Sequence, residues 1–426
     1  MTELSAARES VAVQIDQAID ALVPSLLAFT QSLVRSPSVA GHEADAQRLM
    51  AAKYESLGLA TDVVASRRED LEGHPAFSDD GIPFVDRLNV IGRWSGMGGG
   101  RSLILNGHMD VVPAGDLTTW TRDPWGGEID GDRLYGRGSC DMKAGLACAV
   151  FAIEALQRMG VRLRGDVLLQ SVIGEESGGV GTLTTIVKGY RADACLIMEP
   201  MDMKVCPVHA GALSFRLKVH GRGAHASMKP LGVSAMTAMI PLLQAIETFN
   251  VERHKHFSHP LFVDPENIAP ISVGIVRSGD WPSSVPDLAI AEGRLGVFPS
   301  EHPDEARDAL LSTIRRVAAR DPWLVEHPPE LEWFEGQFEP GATPLESPIV
   351  QLVAEGHVDV TRQAPTFIGI PSGTDLRLFT RHAGIPTVMY GPGSVMQAHS
   401  ADEYVPISEI IACTRVLART IHAWCA

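Results

Sequence analysis

The sequence predicts an α/β fold: a mostly parallel central sheet flanked by helices, with an inserted α+β unit. From residue 103 to 198, short apolar runs of strand length alternate with longer runs at helical spacing. This alternation is typical of a parallel sheet covered on both faces. From 211 to 336 the pattern changes to period-2 strands with two amphipathic helices, and afterwards the alternation resumes. We therefore predict a larger domain in two parts, 1–210 and 337–426, interrupted by an insertion at 211–336.

The elements follow from apolar spacing and from the residues that end each run. In the first part we predict helices at 11–34, 43–57, 144–159 and near Gly181, and strands at 89–92, 103–105, 167–173 and 194–198. In the insertion we predict strands within 213–221, 269–279, 288–298 and 330–336, and helices at 234–249 and 304–320. In the last part we predict helices at 349–358 and 408–424, strands at 365–369 and 386–390, and a loop and helix at 372–379. The short linkers indicate that the insertion moves as a lid or pairs with another copy.

Composition excludes several classes of partner. The chain has 426 residues, 45% hydrophobic, and a formal net charge of -16, so it lacks the basic surface that nucleic acids and anionic membranes require. No apolar run approaches the roughly 20 residues of a membrane span, and the first ten residues lack the features of a secretory signal. Six scattered cysteines without a CxxC pair predict reduced thiols. We expect a soluble, cytoplasmic protein.

Residues with metal-binding chemistry follow the first central strand. The apolar run from Leu103 ends in His108-Met109-Asp110, at the lip where open α/β sheets keep their sites. Since residues i and i+2 of a strand point the same way, His108 can bind a metal while Asp110 braces its other ring nitrogen. Asp141 lies in a Gly-rich turn before the helix that starts near Ala144. Taken singly, His108 is equally a core histidine and Asp141 equally a helix cap.

Three further predicted strand ends carry similar side chains. Glu175-Glu176 follows one strand, Glu199 the next, and His399 the last strand of the chain. One glutamate of the pair can bind a metal while the other faces a metal-bound water, although an exposed acidic pair is the commoner meaning of two adjacent glutamates. The convergence of these ends on one rim of the sheet favours a metal centre over separate structural roles.

This set of imidazoles and carboxylates suits zinc, with cobalt or manganese as alternatives. Two histidines and several acids exceed the needs of one tetrahedral ion, so we predict two divalent ions bridged by a carboxylate and by a water or hydroxide.

The motifs resemble a known family. GHMDVVP, DPWGGEIDGDRLYGRGSCDMKAG after Trp120, GEESGG, MEP, GRGAHAS and AHSADEYV stand in the order of the dinuclear metal-dependent deacylases and exopeptidases, which include acetylornithine deacetylase, succinyl-diaminopimelate desuccinylase, aminoacylase and glutamate carboxypeptidase. The resemblance covers nearly the whole chain. It implies a zinc-exopeptidase-like catalytic domain with an inserted dimerisation domain, and hence a homodimer.

The resemblance also implies a role for each site residue. His108 and Glu199 would be terminal ligands of one metal, Glu176 and His399 those of the other, and Asp141 would bridge them. Asp110 would orient His108, and Glu175 would be the general base, held one step outside the metal shell. His225, in GRGAHAS, would reach a neighbouring subunit's site and polarise the oxyanion; the alternative is a surface loop histidine.

Three further residues are candidates for substrate binding. Arg294 resembles the family's substrate arginine and suits a carboxylate, as does Arg377, and either is equally a surface salt-bridge residue. Thr374 lies in SGTD, which resembles the family's loop near the substrate. In WPSSVPD, Ser283 and Ser284 stand where the family often has an asparagine, so the resemblance does not supply the hydrogen bond that this asparagine would make.

Together these inferences predict a two-metal hydrolase that cleaves an amide C–N bond in a small, carboxylate-bearing substrate, as an N-acyl amino acid deacylase or small-peptide exopeptidase does. The attacking species would be a metal-bridging hydroxide, with Glu175 as base. Two alternatives stay open: an aminohydrolase acting on an unusual, possibly aromatic, amino acid, and a catalytically silent metal-binding scaffold. Retention of Glu175 beside Glu176 speaks against the scaffold, which has no use for a base.

Overall fold

Eighteen strands and eleven α-helices make up the part of the chain that the structure describes. The structure is a computed structural model, and it describes residues 3–426, with side chains from residue 10 onward. The strands are β1 Ala60–Ala65, β2 Leu88–Trp94, β3 Leu103–His108, β4 Ile129–Asp130, β5 Arg133–Tyr135, β6 Val167–Val172, β7 Ala194–Ile197, β8 Val205–His209, β9 Gly211–His220, β10 Ala224–His225, β11 Ile271–Ser278, β12 Ser284–Val285, β13 Leu288–Val297, β14 Glu330–Phe338, β15 Gly341–Ala342, β16 Phe367–Ile370, β17 Thr387–Met389 and β18 Tyr404–Pro406. The helices are α1 Glu3–Asp20, α2 Val23–Val34, α3 Ala44–Ser56, α4 Arg68–Leu71, α5 Ala144–Arg158, α6 Val180–Val187, α7 Ala235–His254, α8 Pro303–Ala318, α9 Pro322–Glu326, α10 Pro348–Thr361 and α11 Ile407–Trp424.

A nine-stranded sheet organises the larger part of the molecule. Its order is β1-β2-β6-β3-β7-β17-β8-β15, with β16 paired to β8. The central pairs β6/β3, β3/β7 and β7/β17 are parallel, and β1, β2 and β15 add antiparallel edges. Strands β3, β6 and β7 are buried along their whole length, because helices cover both faces of the sheet. The predicted α/β class is confirmed.

Helix α5 shows why the centre of this sheet is buried. Thirteen of its fifteen residues are buried, with α11, α1 and α2 among its neighbours. Its Ala-rich sequence lets it approach the sheet closely, so the loops at the strand ends are held against a rigid layer.

A second, smaller sheet has its own hydrophobic core. Strands β11-β13-β9-β14 form an antiparallel sheet, and α7 and α8 pack against it. The residues of this core lie between Leu213 and Leu324, within the stretch 211–336 that the sequence predicts as an insertion.

The structure corrects the predicted helix 11–34. It consists of two helices, α1 and α2, separated at Ala21–Leu22. Pro24 lies in the first turn of α2, where its missing N–H is tolerated, whereas in a continuous helix it would remove a hydrogen bond. Among the described residues, no single helix has both the length and the apolar character to cross a membrane; the bent pair Ser10–Asp20 and Val23–Val34 meets those two criteria jointly.

Candidate metal centre

Five predicted ligands meet at the carboxyl edge of the central sheet. His108 ends β3, Glu176 follows β6, and Glu199 follows β7 by two residues. Asp141 lies just before α5, and His399 lies in the loop after β17. Because β3, β6 and β7 run parallel, their carboxyl ends lie side by side and bring residues distant in sequence together.

Asp141 lies between the two histidines. Its Oδ1 is 3.0 Å from His108 Nε2, and its Oδ2 is 3.6 Å from His399 Nε2. On the His108 side, Glu199 Oε1 is 3.8 Å from the same Nε2. On the His399 side, Glu176 Oε2 is 3.0 Å from that Nε2. One carboxylate thus offers one oxygen to each of two imidazole–glutamate pairs.

Glu175 is buried within the same cluster. Ligand atoms of His108, Glu175 and Glu199 lie within 4.8 Å of one another, as do those of His108, Asp141 and Glu176. Both groups contain His108, so the two sets of atoms share one small volume at the sheet edge.

Asp110 contacts both His108 and the glutamate turn. Its backbone carbonyl is 2.9 Å from His108 Nδ1, whereas its Oδ1 is 3.7 Å away. Its carboxylate accepts the N–H groups of Glu175 and Glu176, at 3.3 and 3.2 Å. The carbonyl makes the shorter contact to the ring, and the carboxylate fixes the backbone of the glutamate pair.

Negative charge is concentrated in this cluster. Burial raises the pKa of Glu175 well above its usual value, and the charge of Glu199 adds to the rise. Burial and the charge of Asp141 raise the pKa of Glu199 and of Glu176 in the same way. For His399, the hydrogen bond to Glu176 raises the pKa. Buried carboxylates that repel one another need positive charge, so this set of oxygen and nitrogen donors fits divalent cations.

A cleft opens beside the cluster, between the two sheets. Its volume is about 380 Å³, and Glu175, Glu176, Arg294 and Glu335 line it. Arg294 lies on β13 and donates from Nη2 to the carbonyl of Pro371, while its buried Nε has no partner among the described residues. Arg294 therefore lines the cleft with a guanidinium that is not fully hydrogen-bonded within the described residues.

Other predicted residues lie outside this cleft. Arg377 is fully buried, donates to the carbonyl of Gly178 and lies 3.6 Å from Glu339. Thr374 is buried, and its Oγ1 accepts the N–H of Leu376.

His225 lies apart from the cluster within this chain. It is exposed on the inserted unit and lines a separate surface cavity of about 640 Å³, together with Ser284. Its Nδ1 is 2.7 Å from Ser227 Oγ. Ser283 accepts the N–H of Ala226 through its backbone carbonyl. Within one chain, His225 is therefore not part of the cluster.

The sequence prediction missed three buried residues that support the site. Glu403 accepts the N–H groups of Cys140 and Asp141 at 2.9 and 3.1 Å, and Arg137 donates to its other oxygen at 2.6 Å. Asp375 is buried near the glutamates, and burial raises its pKa to about 6. All three lie inside quoted motifs (GRGSCD, AHSADEYV and SGTD), so their charge within those motifs is the signal that was available.

Comparison with known proteins identifies relatives over most of the chain. The model of peptidase family M20/M25/M40 matches residues 104–423. N-formyl-4-amino-5-aminomethyl-2-methylpyrimidine deformylase of Halalkalibacterium halodurans is 28% identical over 427 residues, which cover 96% of each chain. Acetylornithine deacetylase of Edwardsiella ictaluri is 26% identical over 422 residues, covering 95% of this chain and 98% of the relative.

A solved structure shares the fold. The M20 family metallo-carboxypeptidase Sso-CP2 of Sulfolobus solfataricus superposes with a TM-score of 0.75 at 19% identity, over 94% of this chain and 99% of its own. The resemblance predicted from the motifs is confirmed: this chain belongs to peptidase family M20/M25/M40.

Proposed function

We propose that this protein is a two-metal hydrolase that removes an acyl group from nitrogen in a small substrate bearing a carboxylate. The observation that carries the proposal is the position of Asp141, whose two oxygens face two separate imidazole–glutamate pairs. Only a carboxylate offers one oxygen to each of two cations. As a member of its family the chain is a hydrolase of C–N bonds; the reaction details that follow are proposed.

The ligands divide between two ions. His108 and Glu199 would hold one, Glu176 and His399 the other, and Asp141 would bridge them. Imidazole and carboxylate donors suit zinc best, with cobalt and manganese as possible occupants. When bound, such a pair supplies Lewis acidity and lowers the pKa of a water held between the ions.

The protein's own residues then provide positioning and proton transfer. Glu175 lines the cleft, and its backbone N–H is fixed by the carboxylate of Asp110. As general base, Glu175 would take a proton from the attacking water and return it to the leaving nitrogen. Arg294, which lines the cleft, would bind the substrate carboxylate.

The names of the two curated relatives support acyl removal over deamination. One is named for removing a formyl group and the other for removing an acetyl group. Neither name describes release of ammonia, so the aminohydrolase alternative has less support.

A panel of substrates tests this function. Purified protein would be reconstituted with zinc, cobalt or manganese and assayed on N-acyl amino acids, dipeptides, N-formylated aminopyrimidines and amino-substituted acids. We expect hydrolysis of at least one N-acyl class and its loss in Glu175→Ala, with metal content unchanged. Exposed Glu55→Ala, outside the cleft, is the control. If Glu175→Ala retains hydrolysis at full metal content, the assigned base is wrong.

The proposal includes a homodimer formed through the inserted unit. The exposed position of His225, outside the cluster of its own chain, is what a residue acting on a partner's site requires. Mixing inactive Glu175→Ala and His225→Ala chains, after dissociation and reassociation, would then restore about a quarter of wild-type activity, because half the dimers contain one intact site. No recovery, or a fully active monomer in sedimentation, would contradict the trans role.

A further inference from the structure

A bulge in β14 places Glu335 on the wall of the cleft. Trp333 pairs with Phe215 of β9, and the next paired residue, Gln337, lies opposite Leu213. Three residues of β14, 334–336, therefore lie opposite the single residue Ser214, so the bulge adds two residues to this strand. Gly336 has φ of 56°, a left-handed conformation that glycine adopts without strain.

The bulge is held in one conformation by Gln337. Its Nε2 donates to the carbonyls of Phe334 at 2.7 Å, Ser214 at 2.9 Å and Glu335 at 3.2 Å. Its Oε1 accepts from Arg307 at 3.0 Å. These hydrogen bonds hold the backbone of the bulge, and with it the position of Glu335, in one conformation.

Glu335 differs from the other carboxylates on this sheet. Three of these, Glu292, Glu330 and Glu332, each lie within ion-pair distance of a basic side chain of β9. The carboxylate of Glu335 has no such partner and no hydrogen bond among the side chains that the structure describes, and it lines the cleft. The Glu335 side chain is exposed, so it can contact a group that enters the cleft.

The cleft presents opposite charges across three adjacent strands. Arg294 of β13 is paired directly with Ser214 of β9, and the bulge lies on the other side of Ser214. Two strand spacings place the backbones of Arg294 and of the bulge about 10 Å apart. Arg294 and Glu335 both line this cleft, so one small molecule bound there can contact both side chains.

We propose that Glu335 is a specificity-determining residue that binds a positively charged nitrogen of the substrate while Arg294 binds its carboxylate. This inference rests on the proposed function and deepens it: the substrate class becomes N-acylated amino acids with a basic side chain. A charged hydrogen bond in the cleft gives a preference of roughly tenfold or more for the basic substrate over a neutral one of similar shape.

Equilibrium binding of the two products tests the assignment without depending on turnover. Ornithine and norleucine have side chains of similar length and differ mainly in the terminal ammonium group. We expect zinc-reconstituted wild type to bind ornithine at least about tenfold more tightly than norleucine, and Glu335→Gln to reduce this ratio to within about twofold while norleucine binding stays unchanged. Glu330→Gln, on the same strand but outside the cleft, is the matched control and should keep the ratio.

The outcomes separate this inference from the proposed function. A preference for ornithine that survives in Glu335→Gln, an equal loss of both ligands, or no measurable binding of ornithine overturns the role of Glu335. If wild type hydrolyses N-acetylornithine and N-acetylnorleucine equally well, the proposed function stands and Glu335 does not select. If it hydrolyses neither but binds ornithine through Glu335, the proposed function fails and the role of Glu335 stands.

Discussion

Replacing Gly145 by alanine should displace a proposed metal ligand without touching the metal site directly. Gly145 lies in the first turn of α5, where the helix meets the end of β7. A Cβ at this position would lie 2.2 Å from the carbonyl oxygen of Met198 and 2.8 Å from its Cβ. Glu199 is the residue after Met198. Gly391 also packs closely against it, because a Cβ added at Gly391 would lie 2.4 Å from the carbonyl oxygen of Glu199.

The size of the effect follows from these distances. Carbon–oxygen contacts are favourable at about 3.3 Å, so the added methyl requires a shift of about 1 Å. Alanine would gain at most about 1 kcal/mol in helix propensity, and the forced contact costs about 1–3 kcal/mol, so we expect a net loss of stability. A misplacement of about 1 Å at a reacting site costs about 100-fold in rate, so activity should fall much more than stability.

Zinc titration of metal-free protein, kcat/KM and urea unfolding measure the three quantities on one preparation. We expect Gly145→Ala to bind zinc more weakly, to lose about 100-fold in kcat/KM and to unfold at slightly lower urea. Gly73→Ala is the matched control, because no atom lies within 4 Å of the position that its added methyl group would take and its φ is not positive. Wild-type zinc affinity and turnover in Gly145→Ala would refute the view that this contact positions Glu199.

Three further predictions concern single side chains. Asp141→Asn should retain at most one of two metal equivalents after gel filtration, because an amide has only one oxygen to offer; two equivalents by elemental analysis would contradict the bridge. Arg294→Gln should raise KM for N-acyl amino acids at least about tenfold and leave metal content unchanged, since the lost bonds are to the substrate carboxylate. Burial lowers the pKa of His209 to about 4, below the value of about 6.5 in the unfolded chain. Between these two values the unfolded chain binds a proton that the folded protein does not, so the free energy of unfolding falls by up to about 3 kcal/mol as the pH drops through that window. Urea midpoints from pH 7.5 to 4 should therefore fall more steeply for wild type than for His209→Asn, and parallel curves would contradict this assignment.

The position of the cluster could be predicted because its signals are local. Each predicted ligand follows an apolar run of strand length or precedes an Ala-rich helix, and parallel strands place their carboxyl ends together. The distances between Asp141 and the two histidines show that convergence directly. The ligand roles themselves came from the family resemblance.

Features set by tertiary contacts could not be predicted in the same way. Arg377 is a plausible surface arginine by sequence, yet it lies fully buried beside Glu339. The run ELEWFEG predicts a strand, and no local signal apart from Gly336 announces three unpaired residues held by the side chain of Gln337. Strand β8 was missed because it is one short apolar run between the first alternating stretch, which ends at residue 198, and the insertion.

In the proposed mechanism, reactivity and selectivity come from different sheets. The proposed ligands and Glu175 lie at the edge of the central sheet, whereas Arg294 and Glu335 lie on strands β13 and β14 of the inserted sheet. The two sheets have separate hydrophobic cores, so a substitution confined to one cleft wall leaves the packing of the other intact. Changes at Arg294 or Glu335 should therefore alter KM and substrate preference at full metal content, and a change at Gly145 should alter metal affinity at unchanged preference. A double variant, Gly145→Ala with Glu335→Gln, should show additive free-energy effects within about 0.5 kcal/mol; a larger coupling would mean that the two walls do not act independently.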